Sequence, residues 1–318
     1  TAVSFGGVTA KYVRLTVDTA WGVTGIVSLC EVRFFCIPVQ AFYPSPADGA
    51  TGVSVEAELN WRPGREATSH TVYVDTDGAA VAAGTAAGHT VSDHSYTPSG
   101  LTFATEYSWK VNETGDAGTY EGSVWSFTTE EFATIDDFES YDDDIEAETT
   151  IWHAWIDGVT NGSGSYVGYE TAKNGTFAET VVVYAGSQSM PVTYDNTKSP
   201  YYSEVERDFD SAQDWTAHGA DTLSLYIQGV DSNSSESVYV TVKDNSNKSK
   251  TVVHPDAAAS KIVEWQQWKI PLAEFSAAGV KTTAVKTLVV GVGNRASPTT
   301  GGTGVVYFDN IGYGCPLP

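Results

Sequence analysis

Two short stretches bracket the C-terminal half of the chain: IDDFE at residues 135–139 and VVYFDNI at residues 305–311. Each has the alternation of a short β-strand and each carries a carboxylate, Glu139 in the first and Asp309 in the second. Because the first and last strands of a two-sheet sandwich commonly lie side by side, we expect these carboxylates to meet. Carboxylate oxygens suit Ca²⁺, so the pair predicts a cation site in a ligand-binding jelly roll.

The sequence between these stretches alternates apolar and polar residues and has almost no helical periodicity. One helical turn is predicted at residues 272–275. The fold class is therefore all-β. Strands are predicted at residues 134–139, 180–184, 188–194, 203–209, 221–229, 237–243, 262–271, 286–293 and 304–313.

The composition indicates a globular, acidic protein. The 318 residues are 41% hydrophobic, which is enough for packed cores, and their number predicts about two or three domains. The formal net charge of −23 repels phosphate backbones and anionic membrane surfaces, so we expect no nucleic-acid partner. No apolar run approaches the 18 or more residues of a membrane span, so we expect no membrane insertion. The acidic residues are interpreted as a solvated surface, with divalent cation binding as the alternative.

The residue usage is typical of a secreted or cell-surface protein. There is a single Met, Lys and Arg together number only 17, and Thr, Ser, Gly and Asn are abundant. The N-terminus lacks the charged start and apolar core of a signal peptide, so we expect a processed or truncated chain.

The cysteines are Cys30, Cys36 and Cys315. Cys30 and Cys36 flank a predicted strand whose length, about 20 Å, is too great for a disulfide if the strand is straight. Three alternatives stay open: a bond from Cys315 to one of the early cysteines, an intermolecular bridge, or buried free thiols. No pair of Cys or His has zinc-ligand spacing.

Residues 1–40 contain two strand-like runs, at 12–17 and 29–35, within the phrases AKYVRLTVDTAWG and GIVSLCEVRFF. These phrases resemble the closing part of a discoidin (coagulation-factor type C) domain. Two strands cannot build an independent core, because an isolated hairpin is marginally stable in water. We therefore expect this partial β segment to dock on the rest of the chain or on a neighbouring molecule.

Residues 41–130 open with a Pro- and Gly-rich boundary and continue with short alternating strands, which predict a small β-sandwich. The phrases LNW, YSWKV and VWSFTT resemble a fibronectin type III domain. The resemblance implies that Trp61, Trp109 and Trp125 belong to the core of this sandwich rather than to a ligand platform.

Residues 131–318 contain, in order, the phrases DDFES, QDWTAHGADTLSLYIQG, WQQWKIPLAEF and VVYFDNIGYG. Together they resemble the carbohydrate-binding modules of the galactose-binding-like jelly-roll group. The resemblance implies a glycan ligand and places Trp215 and Trp268 in the core. It also implies a structural Ca²⁺ held by Glu139 and Asp309, with Asp137 as an additional ligand and backbone carbonyls completing the six to eight oxygens that this ion requires.

A glycan-binding face needs aromatic rings to stack on C–H surfaces and planar polar groups to bind hydroxyls. Alternation along strands 223–228 and 238–242 points Tyr226, Gln228 and Tyr239 outward. If these strands are hairpin neighbours, the three side chains share one surface, to which strand 203–209 adds Glu204 and Arg207. The alternative is a sheet surface without a ligand or one covered by another domain.

Two functions from different classes are compatible with the sequence. The first is a noncatalytic extracellular protein that binds a polysaccharide through its jelly roll. The second is a self-assembling structural subunit of a filament or surface layer, in which residues 1–40 add a strand to a neighbouring copy. No catalytic residues are predicted, because the six histidines are scattered and no nucleophile elbow, phosphate loop or dinucleotide fingerprint is present.

Overall fold

The computed structural model describes residues 12–16, 18, 38–169 and 176–315. These residues form two compact units. The first contains the described residues up to Ser99 together with Glu106–Thr128, and the second contains Gly100–Thr105 and the described residues from Thr129 onward.

The first unit has two antiparallel sheets and one short helix, α1 (Gly78–Ala83). Its strands are β1 (Phe42–Ser45), β2 (Ala50–Val53), β3 (Leu59–Arg62), β4 (Ser69–Asp75), β5 (Gly88–Val91), β6 (Ser95–Tyr96), β7 (Glu106–Gly115), β8 (Gly118–Tyr120) and β9 (Trp125–Thr129). One sheet has the order β1-β3-β6, and the other has the order β2-β9-β7-β4-β5 with β8 paired to β7.

Three tryptophans fill the core of the first unit, as the sequence predicts. Trp61, Trp109 and Trp125 are all buried. The ring of Trp109 lies 6.5 Å from that of Trp61 and 4.8 Å from that of Trp125, measured between centroids. These contacts show that the three tryptophans occupy the inward-facing positions of strands that alternate in polarity. The resemblance of this unit to fibronectin type III domains stays a prediction.

The second unit is larger and also almost entirely β. Its strands are β10 (Phe132–Asp136), β11 (Trp155–Ile156), β12 (Ser165–Val167), β13 (Met190–Asp195), β14 (Tyr202–Gln213), β15 (Thr222–Gln228), β16 (Val238–Asp244), β17 (Ser249–Val253), β18 (Gln266–Pro271), β19 (Val285–Gly293) and β20 (Thr303–Gly314). Its helical turns are α2 (Ile151–Ala154), α3 (Gly158–Asn161), α4 (Ala273–Ser276) and three 3-10 turns, Ala217–Gly219, Ala259–Lys261 and Thr282–Ala284. Among the described residues, no helix combines the length and the apolar character needed to cross a bilayer.

These strands form two antiparallel sheets that we name sheet A and sheet B. Sheet A has the order β12-β13-β20-β15-β18, with β10 paired to β20, and sheet B has the order β11-β14-β19-β16-β17. The pairing of β10 with β20 places Phe132 opposite Gly314 and Asp136 opposite Ile311. The expectation that the first and last strands of this half lie side by side is therefore confirmed.

One hydrophobic core lies between the two sheets. In sheet A the alternating residues Leu223, Leu225 and Ile227 point inward, and in sheet B Val238, Val240 and Val242 do the same. Trp215 and Trp268 are buried in this core, as the sequence predicts. The period of two in the sequence thus assigns one side of each strand to the core and the other to an outer face.

The predicted strand at 180–184 is wrong. This stretch belongs to a loop that forms only an isolated bridge between Glu179 and Ser189. The reason is the buried carboxylate of Glu179, whose Oε1 accepts hydrogen bonds from the backbone N–H groups of residues 180–182 at 2.7–3.2 Å. These donors bind a side chain instead of a neighbouring strand.

Most predictions for residues 1–40 lie outside the described residues. Residues 12–16, the described part of the first predicted strand, are exposed and have no regular secondary structure. The discoidin resemblance and the addition of a strand to a neighbouring copy stay predictions. Cys30 and Cys36 also lie outside the described residues, whereas Cys315 is a half-buried free thiol whose pKa is raised by burial.

The side chain of Arg207 does not lie on an outer face, which corrects its predicted placement; a role in glycan binding stays a prediction. It alternates with the buried Val205 and Phe209 on β14, so its side chain enters the sandwich, where Nη1 donates to the carbonyl of Ala154 at 3.4 Å. The sequence spacing alone gives this orientation, because residues two apart on a strand face the same side.

Asp136 organises buried polar groups at the end of β10. Its Oδ2 accepts hydrogen bonds from the hydroxyl of Tyr141 at 2.5 Å and from Nε1 of Trp155 at 2.9 Å. Burial and the neighbouring Asp136 carboxylate raise the pKa of Tyr141, which keeps its hydroxyl protonated as a donor. Asp136 therefore anchors Trp155, a fully buried core residue, to the first strand.

We expect Asp136→Ala to lower the free energy of unfolding of the second unit substantially. It leaves the Tyr141 hydroxyl and the Trp155 indole N–H without this acceptor, and each buried donor left unsatisfied costs about 1–3 kcal/mol. Urea unfolding followed by tryptophan fluorescence measures the change. The control is Asp210→Ala at an exposed position, which should change stability by no more than about 0.5 kcal/mol. Equal stability of the two variants would contradict this role of Asp136.

Candidate functional site

The structure separates the residues predicted to form one glycan-binding surface. Tyr226 and Gln228 lie on β15 in sheet A, whereas Tyr239 lies on β16 and Glu204 on β14, both in sheet B. The prediction of one shared surface is wrong, because β15 and β16 are consecutive in sequence but belong to opposite sheets of the sandwich. The two outer faces are therefore considered separately.

The outer face of sheet B carries a set of aligned polar side chains. The cross-strand register places Gly291 of β19 between Glu204 of β14 and Tyr239 of β16. The alternating residues of β14 and β16 extend this surface on either side. We name it the sheet B face, formed by Tyr202, Glu204, Glu206, Asp208, Tyr239, Thr241 and Lys243.

Tyr239 reaches across the central strand of this face. Its hydroxyl donates to Oε1 of Glu204 at 2.9 Å, although the two residues are two strands apart. The side chain crosses β19 at Gly291, where an added Cβ would lie only 2.3 Å from Cζ of the tyrosine ring. A glycine is thus required at this position for the tyrosine to make its hydrogen bond.

Arg295, in the loop after β19, completes this network. Its Nε donates to Oε1 of Glu204 at 2.6 Å, and its guanidinium lies 5.7 Å from the centroid of the Tyr202 ring. The side chain of Glu204 is only 4% exposed, whereas that of Arg295 is 44% exposed. Arg295 lies in a loop, outside any strand pattern, so the sequence alone gives no signal for its role.

Burial shifts the pKa values of two groups in this network. Burial raises the pKa of Glu204, and the adjacent Arg295 opposes that shift. Burial, followed by the negative charge of Glu204, raises the pKa of Tyr239 and keeps its hydroxyl a donor. The result is a preformed carboxylate and guanidinium pair whose planar, charged groups suit hydrogen bonding to neighbouring hydroxyls.

The outer face of sheet A is partly covered by the loop of residues 176–189. Tyr184 from this loop stacks on Tyr226, with the ring centroids 3.5 Å apart and the planes at 17°. Gln228 Nε2 donates to the carbonyl of Val263 at 2.8 Å. The two predicted sheet A residues therefore make internal contacts, whereas Tyr184 is 42% exposed.

Glu139 and Asp309 meet across this same loop. Asp309 Oδ2 accepts from the backbone N–H groups of residues 184 and 185 at 2.8 and 3.3 Å. Glu139 Oε1 accepts from those of residues 187 and 188 at 2.9 and 3.0 Å. Both carboxylates thus bind one short turn, which ties the first part of the unit to its last strand.

The negative charge of Asp309 is unfavourable in this arrangement. Its side chain is fully buried, and burial raises its pKa from 3.8 to about 6; backbone N–H donors oppose the shift and the charge of Glu139 adds to it. Asp137 is exposed and its Oδ1 accepts from the N–H of Glu139 at 3.2 Å. Across the residues that the structure describes, no group of three or more His, Cys, Asp or Glu is placed to hold a metal ion. The side chains alone therefore offer a repelling carboxylate pair that suits a cation but would leave most of a Ca²⁺ shell to carbonyls and water.

Several solved structures resemble this chain at low identity. The family 11 carbohydrate-binding module of a cellulosomal cellulase of Clostridium thermocellum is 14% identical; 59% of this chain and 96% of the module are covered, with a TM-score of 0.36. A family 30 carbohydrate-binding module is 18% identical, with 48% and 92% covered and a TM-score of 0.35. The agarase AgWH50C is 9% identical, with 59% and 25% covered and a TM-score of 0.41.

No curated protein sequence matches this chain. A protein-family model does match it: the model for carbohydrate binding domain 30 covers residues 148–313, just over half of the chain. This range contains β11 to β19 and all but the last residue of β20, and so most of both sheets of the second unit. The resemblance of the C-terminal half to jelly-roll carbohydrate-binding modules is confirmed, and the chain belongs to the carbohydrate binding domain 30 family.

Proposed function

We propose that this chain is a noncatalytic polysaccharide-binding protein that contacts the sugar with the sheet B face. Membership of a carbohydrate-binding family supports the ligand class. The observation that carries the choice of face is the network in which Tyr239 and Arg295 both donate to the buried carboxylate of Glu204. Because these groups are held in place by one another, little side-chain entropy is lost when a ligand binds.

The sheet B face offers polar groups that can hydrogen-bond a sugar chain. Arg295 extends over the half-buried Tyr202 ring and is itself partly exposed, so its guanidinium can meet hydroxyls at the rim. Along β14 the outward carboxylates of Glu204, Glu206 and Asp208 recur at every second residue, about 6.5–7 Å apart. Glu204 is buried and already accepts from Tyr239 and Arg295, so Glu206 and Asp208 are the carboxylates of this row that can hydrogen-bond the hydroxyls of an extended polysaccharide.

The charge of the chain narrows the ligand class. A net charge of −23 disfavours polyanions, so the proposed ligand is a neutral polysaccharide. A secreted or cell-surface location is proposed with it, supported by the composition and by the family. Self-assembly through residues 1–40 stays a prediction, and the described part of the chain contains no observation that favours it over sugar binding.

We expect Arg295→Ala to weaken binding of a neutral polysaccharide by at least about tenfold, because it removes charge-assisted hydrogen bonds and leaves Glu204 a buried, unpaired carboxylate. Native electrophoresis in gels containing mixed-linkage β-glucan, xylan or mannan measures the retardation. The matched control is Arg62→Ala in the first unit, since Arg62 also lies over an aromatic ring, 5.6 Å from the Phe42 centroid. Unchanged retardation of Arg295→Ala would reject the sheet B face.

We expect Gly291→Ala to weaken binding more than Tyr239→Phe does. The added methyl group meets the Tyr239 ring and displaces it from the face, at a cost in stability of about 1–3 kcal/mol, whereas the phenylalanine variant keeps the ring and loses one hydrogen bond. The same gels report binding, and urea unfolding reports stability. The reverse order of the two variants would show that the position of Tyr239 is unimportant for the ligand.

We also propose a structural Ca²⁺ held by Glu139 and Asp309, with Asp137 as an additional ligand. Two observations support it: the carboxylates bind the same turn, and Asp309 is buried beside a second negative charge. The ion would supply positive charge at this junction, and the chain would supply carboxylate and carbonyl oxygens.

Calcium should therefore raise the melting temperature of the second unit, and EDTA should lower it. A ligand at one hundred times its Kd stabilises the folded state by about 2.7 kcal/mol. Glu139→Gln should abolish this shift, while Glu274→Gln, at an acidic residue on α4, should retain it. Melting curves that are identical in calcium and in EDTA would eliminate the site.

The titration of Asp309 gives an independent check. Because its folded pKa, about 6, exceeds the unfolded value near 3.8, the contribution of Asp309 to the stability of the metal-free protein should fall as pH rises from about 4 to about 6. Glu139→Gln removes a negative neighbour and should lower the pKa of Asp309, measured by carboxyl-carbon NMR. Calcium should suppress the protonation in this range. A pKa of Asp309 that stays below 4 in EDTA would contradict the repulsion described here.

A further inference from the structure

We infer that the second unit has another sugar-binding surface on the opposite side of the sandwich, formed by Tyr184, Tyr226 and Trp265. We name it the Tyr184 platform, and its ligand is a pyranose ring of a neutral polysaccharide. The inference rests on the proposed function for the class of ligand, but it concerns residues that make no part of the sheet B face.

The Tyr184 platform is a rigid aromatic arrangement. Tyr184 stacks on Tyr226 at 3.5 Å and meets Trp265 in a T-shaped contact, with centroids 6.1 Å apart and planes at 66°. Tyr226 is fixed in β15, and the backbone N–H of Tyr184 is bound to the buried carboxylate of Asp309 at 2.8 Å. The ring of Tyr184 is therefore fixed by its stacking on Tyr226 and by the hydrogen bond of its own backbone.

One side of this arrangement is open. Tyr226 covers one face of the Tyr184 ring, so the 42% exposure of Tyr184 belongs to the other face and the ring edges. Two apolar side chains are also exposed, Val181 of the same loop at 73% and Val263, shortly before β18, at 54%. Held aromatic surface of this kind matches the apolar C–H face of a pyranose.

Uncharged amide groups border the platform. Gln267 is the cross-strand neighbour of Tyr226, and its Nε2 donates to the hydroxyl of Ser224 at 2.9 Å. Gln228, two residues beyond Tyr226 on β15, donates to the carbonyl of Val263. Each amide has both donor and acceptor atoms, which is the chemistry that hydroxyl groups require.

The size and charge of the platform favour a sugar over a protein or a polyanion. A stable protein interface buries about 800 Å² per partner, which far exceeds the area of one exposed ring, two half-buried rings and two valines. The net charge of −23 disfavours anionic ligands. Since sheets A and B pack on one core, the Tyr184 platform and the sheet B face point away from each other, and the unit can hold two sugar chains at once.

The test is a titration of the full chain, observed by NMR, with cellohexaose, laminarihexaose, xylohexaose and mannohexaose. Each surface has its own reporters: the Trp265 indole N–H for the platform and the Arg295 Nε–H for the sheet B face. We expect two separate binding curves with at least one sugar. Tyr184→Ala should weaken the platform curve by about tenfold and leave the other unchanged, whereas Tyr184→Phe, which keeps the stacking ring, should leave both unchanged.

The outcomes separate the two proposals. Binding that perturbs only the Arg295 signal, and that Tyr184→Ala does not alter, overturns the platform and keeps the sheet B face. Binding that perturbs only the Trp265 signal keeps the platform and overturns the sheet B face. If no sugar binds at either surface, both proposals fail. Loss of both curves in Tyr184→Ala, with Tyr184→Phe normal and the amide spectrum of a folded protein, would show one continuous site and would also overturn the inference.

Discussion

Two sheets sharing one core is the constraint on which the second unit depends. Leu223, Leu225 and Ile227 must point inward from sheet A, and the valines of β16 must point inward from sheet B. Because side chains alternate along a strand, every inward residue forces its neighbours outward. The second unit consequently has two outer faces, and a residue that lies on one cannot also lie on the other. Each face has its own arrangement of aromatic and polar groups.

The alternation in the sequence predicts much of this architecture, but it does not predict which strands contribute to the same outer face. It identifies which side of β15 and β16 is apolar, and it places Tyr226 and Tyr239 outward. It does not tell which sheet each strand joins, because that depends on contacts between residues far apart in sequence, such as those of β16 with β19. The same alternation, applied strictly, would have placed Arg207 beside Val205 in the core.

The parts that sequence reasoning missed are in loops or depend on a single side chain. The stretch at 180–184 has the composition of a strand, yet the Glu179 carboxylate binds the backbone donors that a strand would need. Arg295 belongs to no periodic pattern and Tyr184 ends a predicted strand that does not form, so their positions follow only from the fold. Gly291 gave one usable signal, since a glycine in an otherwise valine-rich strand indicates that something approaches the backbone closely.

The turn between Tyr184 and Gln188 has a mechanical consequence. Its backbone is bound at one end to Asp309 on β20 and at the other to Glu139, just beyond β10. β10 is paired with the last residues of β20, from Ile311 to Gly314. A pulling force on a sugar chain stacked on Tyr184 would therefore pass through these hydrogen bonds to β10 and β20. The hydrogen bonds that pair the two strands would share the force, which a loop held only at its ends could not do.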